Sequence, residues 1–140
     1  RPTDWMLQND LINHFERILD YGCGRCTKGN PSYWHNYDPH YAPDGILNKS
    51  YEKIICNYVL CAIPPAERLP VLKKIQDLLT PEGVAFISVR NDKPRQGWGI
   101  SSIGTYQGRV KNILLPLLCK CAGFRIYLLT KKTKLPKIRP

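Results

Sequence analysis

A chain of 140 residues, 43% hydrophobic and 23% charged, has the size and composition of one globular domain that buries a core without disulfide or metal staples. No apolar run approaches the ~18–20 residues of a membrane span, and no apolar signal region follows Arg1-Pro2-Thr3-Asp4, which predicts a cytoplasmic protein with reduced thiols. The net charge of +10 favours an anionic partner such as nucleic acid or a phosphorylated substrate, although Lys131, Lys132, Lys134, Lys137 and Arg139 supply half of it and serve solubility equally well.

Thr3 as N-cap, with Leu7, Leu11 and Phe15 at helical spacing, predicts a short leading helix. Arg17 to Tyr21 reads as a strand running into a turn at Gly22-Cys23-Gly24. Trp34 to Tyr37 reads as a second short strand ending at Asp38-Pro39. Lys53 to Tyr58 is almost continuously apolar, as a strand covered on both faces should be. Leu72, Ile75 and Leu79 form a helical stripe whose regular part begins near Pro70 and is stopped by Thr80-Pro81-Glu82-Gly83. Val84 to Val89 is the next strand, and Asn91 to Gly108 the long loop after it. Val110, Ile113, Leu114, Leu117 and Cys121 predict a last helix kinked at Pro116 and closed by Ala122-Gly123, before a strand from Phe124 to Leu129.

Strands joined by helices imply an α/β fold with a Rossmann-like, mostly parallel sheet over residues 1–130, followed by a mobile basic tail over 131–140. Cys23-x2-Cys26 and Cys119-x-Cys121 lack the spacing and neighbouring histidines of a structural metal site, so no metal is expected and the thiols read as small core residues.

In such a sheet, ligands bind beyond the carboxyl ends of the strands. Three features fall there. Gly22 and Gly24, either side of Cys23, have no Cβ to hold a ligand away from the backbone. Asp38 ends the next strand, where a carboxylate can accept the hydroxyl protons of a ribose, or equally well cap a turn before Pro39. Asn57-Tyr58 ends the central strand.

Ile18-Leu19-Asp20-Tyr21-Gly22-Cys23-Gly24 resembles motif I of the class I S-adenosylmethionine-dependent methyltransferases. Tyr37-Asp38 resembles their second motif, Ile54 to Leu60 their fourth strand, Leu78 to Gly83 the turn before the fifth, and Ala122-Gly123-Phe124 their late helix-to-strand junction. Tyr-Gly-Cys-Gly-Arg and Tyr-Asp-Pro-His-Tyr-Ala-Pro are similar to strings in bacterial methyltransferases associated with DNA phosphorothioation clusters. The resemblance implies S-adenosylmethionine as cofactor. Gly22 and Gly24 would pass under its methionine part, Asp20 would hold its amino group, Asp38 its ribose, and Pro39 and His40 would lie near the adenine. Asn57 and Tyr58 would border the transferred methyl. Cys26 stands where a third glycine is usual, and 14 residues between Asp38 and Lys53 leave no room for the customary helix, strand and helix. The resemblance therefore implies a shortened member, with the third strand and one terminal strand missing.

Methyl transfer from a sulfonium is chiefly a matter of positioning, with a base where the acceptor must lose a proton. Asn57, Tyr58 and His40 are the catalytic candidates. In the loop after Val89, Arg90, Lys93 and Arg95 alternate with Trp98 and Tyr106, cations for phosphates beside aromatics for base stacking. That composition favours a nucleic acid or nucleotide as substrate. A small metabolite remains an alternative acceptor, and a non-catalytic binding module an alternative role.

Overall fold

The computed structural model describes residues 1–25, 29–43, 49–91, 98–100, 106–111 and 113–137. Its elements in chain order are α1 (Pro2–Gln8), β1 (Ile18–Tyr21), β2 (His35–Tyr37), β3 (Tyr51–Asn57), a 3-10 turn (Leu60–Ala62), α2 (Pro65–Asp77), β4 (Leu79–Arg90), β5 (Gly99–Ile100), β6 (Tyr106–Gln107), β7 (Leu117–Lys120) and β8 (Phe124–Thr130). Six strands form one sheet in the order β2-β1-β3-β4-β8-β7. The first four run parallel, while β8 is antiparallel to both β4 and β7. The fold is therefore α/β with a mixed, mostly parallel sheet, as expected.

Alternation along the strands sends successive side chains to opposite faces. Leu19, Ile54, Cys56, Ala85, Ile87 and Leu129 face α2, which contributes Leu72 and Ile75. Ile18, Ile55, Phe86 and Ile126 face α1, which contributes Met6, with Trp34 beside it. Each fully buried aliphatic side chain is worth about 1.5–3 kcal/mol, so the two faces together hold the sheet. No residue of either cluster depends on a disulfide.

Five expectations change. The leading helix ends at Gln8, so Phe15 is exposed rather than part of a helical stripe. Helix α2 starts at Pro65, five residues before Pro70, because Pro64 and Pro65 supply the fixed φ that a first turn accepts. Thr80-Pro81-Glu82-Gly83 does not separate helix from strand. It lies inside β4, where pairing with β3 jumps from Tyr51↔Leu79 to Lys53↔Val84 and the extra residues form an irregularity. A Cβ on Gly83 would stand 2.8 Å from the Tyr51 carbonyl, so only glycine lets the two backbones approach there.

The largest difference is the last helix. Residues 110–116 have no helix among those described, and Leu117–Lys120 is the edge strand β7, so Cys119 lies in a strand and Cys121 in the turn after it. One strand alone follows Gly123, as expected, but a second terminal strand precedes it. No strand occurs among the described residues between Asp38 and Tyr51, which leaves β2 at the sheet's other edge. The basic tail is also less detached than expected. Gln76 Nε2 donates to the Thr130 and Thr133 carbonyls at 3.0 and 2.8 Å, and Lys131 Nζ donates to the Asp77 carbonyl at 3.2 Å.

Pro70 sits inside α2, where it removes the N–H that would bond to the Ala66 carbonyl. Its ring is exposed, so nothing packs on it in return. Pro70→Ala should stabilise the protein, by up to ~3 kcal/mol, as a higher urea midpoint. An unchanged or lower midpoint would contradict this account of α2.

Candidate functional site

Strand β1 continues to β2 on one side, and the chain then crosses to β3 on the other, so the carboxyl ends of β1 and β3 border a topological switch point. The turn after β1 is built there. Gly22 and Gly24 have φ of 80° and 73°, the left-handed region that glycine enters without penalty. The N–H groups of Gly22 and Cys23 donate to the Tyr37 carbonyl at 2.7 and 3.0 Å, lacing the turn to the end of β2.

Asp38 completes the lacing. Gly24 N–H donates to its Oδ2 at 3.0 Å, while His40 and Tyr41 N–H donate to its Oδ1 at 2.9 and 3.2 Å. A carboxylate offers about four lone-pair sites. Three are used, so Asp38 is the turn cap, with room for one further donor. His40 and Pro39, expected near the adenine, stand exposed on that same turn.

The two glycines differ. A Cβ on Gly22 would lie 2.3 Å from Val59 Cγ2, so a protein side chain occupies the space expected for the ligand. At Gly24 no described atom lies within 4 Å of such a Cβ. The open approach is therefore at Gly24. Cys23 between them is half-buried; burial first, then the Asp20 and Asp38 charges, push its thiol up to about 11.

Asp20 is the most informative group. Burial raises its proton affinity, Asn30 and the Arg1 charge oppose that, and the Asp38 charge adds to it. Asn30 Nδ2 donates to Asp20 Oδ2 at 2.7 Å and to Asn36 Oδ1 at 2.8 Å. Asn36 is the register partner of Asp20 on β2. Farther along the same face, Asn57 Nδ2 donates to Thr3 Oγ1 at 2.8 Å and Asn57 Oδ1 accepts from Ser88 Oγ at 2.9 Å. Both ends of the Asn57 amide are thus held by protein. Tyr58 follows with φ of 61°, rare for a bulky residue, its N–H donated to the Ser88 carbonyl at 3.0 Å. Such strain persists where the surroundings over-determine it, often beside a functional site.

Asn30, Asn36 and Ser88 had no motif to mark them, and Thr3, expected as the N-cap of the leading helix, lies inside α1 with Arg1 at the cap. Asn36 and Ser88 had one weak signal, a polar residue inside an otherwise apolar strand.

Of the loop residues, Arg90 lies at the same end of the sheet. Arg90 ends β4, and its Nη1 donates to Gln107 Oε1 at 3.5 Å. Trp98 is half-buried just before β5, which pairs with β6 through Gly99↔Gln107 and Ile100↔Tyr106. Gly108 N–H donates to the Cys61 carbonyl at 2.7 Å and docks this ribbon on the 3-10 turn. The Tyr106 ring is laid against Gly108, where a Cβ would meet its hydroxyl at 2.4 Å. Lys93 and Arg95 lie outside the described residues, as does Cys26. Among the described residues no three His, Cys, Asp or Glu side chains come together as metal ligands, and no helix is long and apolar enough to cross a membrane.

No family model and no curated protein matches the chain. Solved structures do. Coclaurine N-methyltransferase bound to N-methylheliamine and SAH is similar at 13% identity and a TM-score of 0.46, over 61% of this chain and 34% of that one. The glycopeptide N-methyltransferase MtfA is similar at 9% identity and 0.45, over 90% and 71%. PKMT2 from Rickettsia typhi in complex with AdoHcy is similar at 16% identity and 0.36, over 52% and 20%. The chain thus spans about a third of the first and a fifth of the last.

A buried carboxylate with raised proton affinity favours folding in its protonated form. Its cost is absent at acid pH and grows as pH rises past the ordinary carboxylate value. Asp20→Asn keeps the shape and the bond to Asn30 as an acceptor. The variant should therefore melt higher than wild type at neutral pH and equal to it at acid pH. A variant less stable at neutral pH would show that the charge of Asp20 is already well compensated by protein.

Proposed function

We propose that the chain binds S-adenosylmethionine at the carboxyl ends of β1, β2 and β3 and transfers its methyl group to a nucleic acid or nucleotide. The observation that carries the cofactor reading is the pair of carboxylates around one open turn. Asp20 is desolvated and short of positive charge, while in the turn that follows it no described atom lies within 4 Å of a Cβ built on Gly24. An ammonium group entering there neutralises Asp20, and the missing Cβ lets the rest of the methionine part follow the backbone. Asp38 keeps one acceptor site for a ribose hydroxyl, one fewer than an unencumbered carboxylate would offer.

When bound, the cofactor supplies an electrophilic methyl on a sulfonium. The chain's part is orientation. Asn57, gripped by Thr3 and Ser88, fixes the end of β3, and the Tyr58 backbone turns the chain away there. Asn57 is on this reading a positioning residue.

The substrate class rests on the net charge, on Arg90 at that edge, and on Lys93, Arg95 and Trp98 in the sequence that follows it. The likeness of two strings to methyltransferases associated with DNA phosphorothioation clusters points the same way, and both strings lie at the site.

Calorimetry with S-adenosylhomocysteine tests the reading. Wild type should bind, and Asp20→Asn should bind at least tenfold more weakly, since a charge-assisted hydrogen bond is worth about 1.5–3 kcal/mol. A folded protein that gives no heat, or an Asn variant of equal affinity, would overturn the site. Binding without methyl transfer to any acceptor would favour the non-catalytic module.

A further inference from the structure

We infer that the cleft between the end of β4 and the β7–β8 hairpin is a groove for the phosphodiester backbone of single-stranded nucleic acid. The cleft measures about 750 Å³, and the described residues that line it include Arg90, Arg109, Lys111, Lys120 and Arg125 with Asn91, and no acidic side chain. Four of these five cations lie outside the loop that the sequence singled out. Among the described residues, no carboxylate lies within ion-pair distance of Arg109, Lys111, Lys120 or Arg125. Uncompensated charges of one sign in a concavity focus their field into it.

The backbone frame is firm. Asn91 Nδ2 donates to the Cys121 and Phe124 carbonyls at 2.8 and 3.0 Å, and Asn91 N–H donates to the Gly123 carbonyl at 3.1 Å, clamping the hairpin turn to the end of β4. The hairpin then sets Lys120 directly opposite Arg125 in register. Like charges in that position repel. Arg125 is held there all the same, with Nη2 donated to the Val110 carbonyl at 3.2 Å and its guanidinium 5.6 Å over the Tyr127 ring. Its Nε is buried without a hydrogen-bond partner. An arginine held opposite a like charge is a cost in the free protein that a bound anion removes.

Arg90 joins the groove to the proposed methyl-transfer site. It stands two residues beyond Ser88, the register partner of Asn57. A strand lying on these cations runs toward the end of β3. Several cations along an open cleft suit successive phosphates better than one compact group. The inference deepens the proposed substrate and rests on that half of the reading, while standing apart from cofactor binding.

Fluorescence anisotropy of the full chain with a labelled oligothymidylate, without cofactor and at two salt concentrations, tests it. Lys111 and Lys120 are both exposed, so Lys111→Glu with Lys120→Glu should leave folding intact. Lys132→Glu with Lys134→Glu makes the same charge change in the tail. Wild type should bind with a strong salt slope, and the cleft pair should lose at least tenfold more affinity than the tail pair. Its log–log salt slope should fall by about two, one per lost phosphate contact. Equal losses in the two pairs, no binding by wild type, or displacement of the strand by ATP at equal phosphate concentration would overturn the groove. Calorimetry with S-adenosylhomocysteine on the same samples separates the two claims. Cofactor binding without oligonucleotide binding sinks the groove alone, and the converse sinks the cofactor site alone.

Discussion

The hydrogen bond from Gly24 N–H to the Asp38 carboxylate is the constraint on which the site depends. It closes a turn that only left-handed residues can make, and it does so against the end of β2. With it, the carboxyl ends of two parallel strands become one surface. Remove it and a buried-side N–H loses its acceptor, the turn is free to reopen, and Asp20 faces a different neighbour. The same bond explains why Asp38 has little acceptor capacity left. The turn cap and the proposed ligand acceptor are here one carboxylate, divided between its lone pairs.

Around that turn the fold spends stability on polarity. Asp20, Asn36, Asn57 and Ser88 all point to the face covered by the seven-residue α1, where the core otherwise consists of Met6, Ile18, Ile55 and Phe86. Three of these polar groups are satisfied by neighbours: Asn30 bridges Asp20 and Asn36, and Asn57 joins Thr3 to Ser88. Asp20 alone keeps a charge that its bonds do not offset, as its raised proton affinity shows. Conflicts of this kind concentrate at functional sites, where local rules yield to chemistry.

Much of the sheet was legible. The apolar run at Lys53 to Tyr58 and the alternation at Phe124 to Leu129 each have one physical solution, a covered strand. The glycine turn and Asp38 followed from strand ends and from a family likeness. What failed was the stripe Val110, Ile113, Leu114 and Leu117, which has helical spacing and yet leads into β7. Pro116 opposes a helix there, and pairing of Leu117 and Lys120 with β8 satisfies the backbone instead. Gly22 was read as the point of ligand approach because sequence shows a missing Cβ but not what fills the gap. Val59 fills it, from across the turn. The bonds of Asn30 to Asp20 and of Thr3 to Asn57 were invisible for a like reason: the partners lie 10 and 54 residues away.

The account turns on Asp20 as an anion waiting for a cation, and its carboxyl carbon can be followed directly by NMR. In the free protein the midpoint should lie above that of an ordinary aspartate. Saturating S-adenosylhomocysteine should bring it down, since a neighbouring ammonium favours the charged form. A midpoint that is ordinary in the free protein, or unmoved by the ligand, would contradict the central claim.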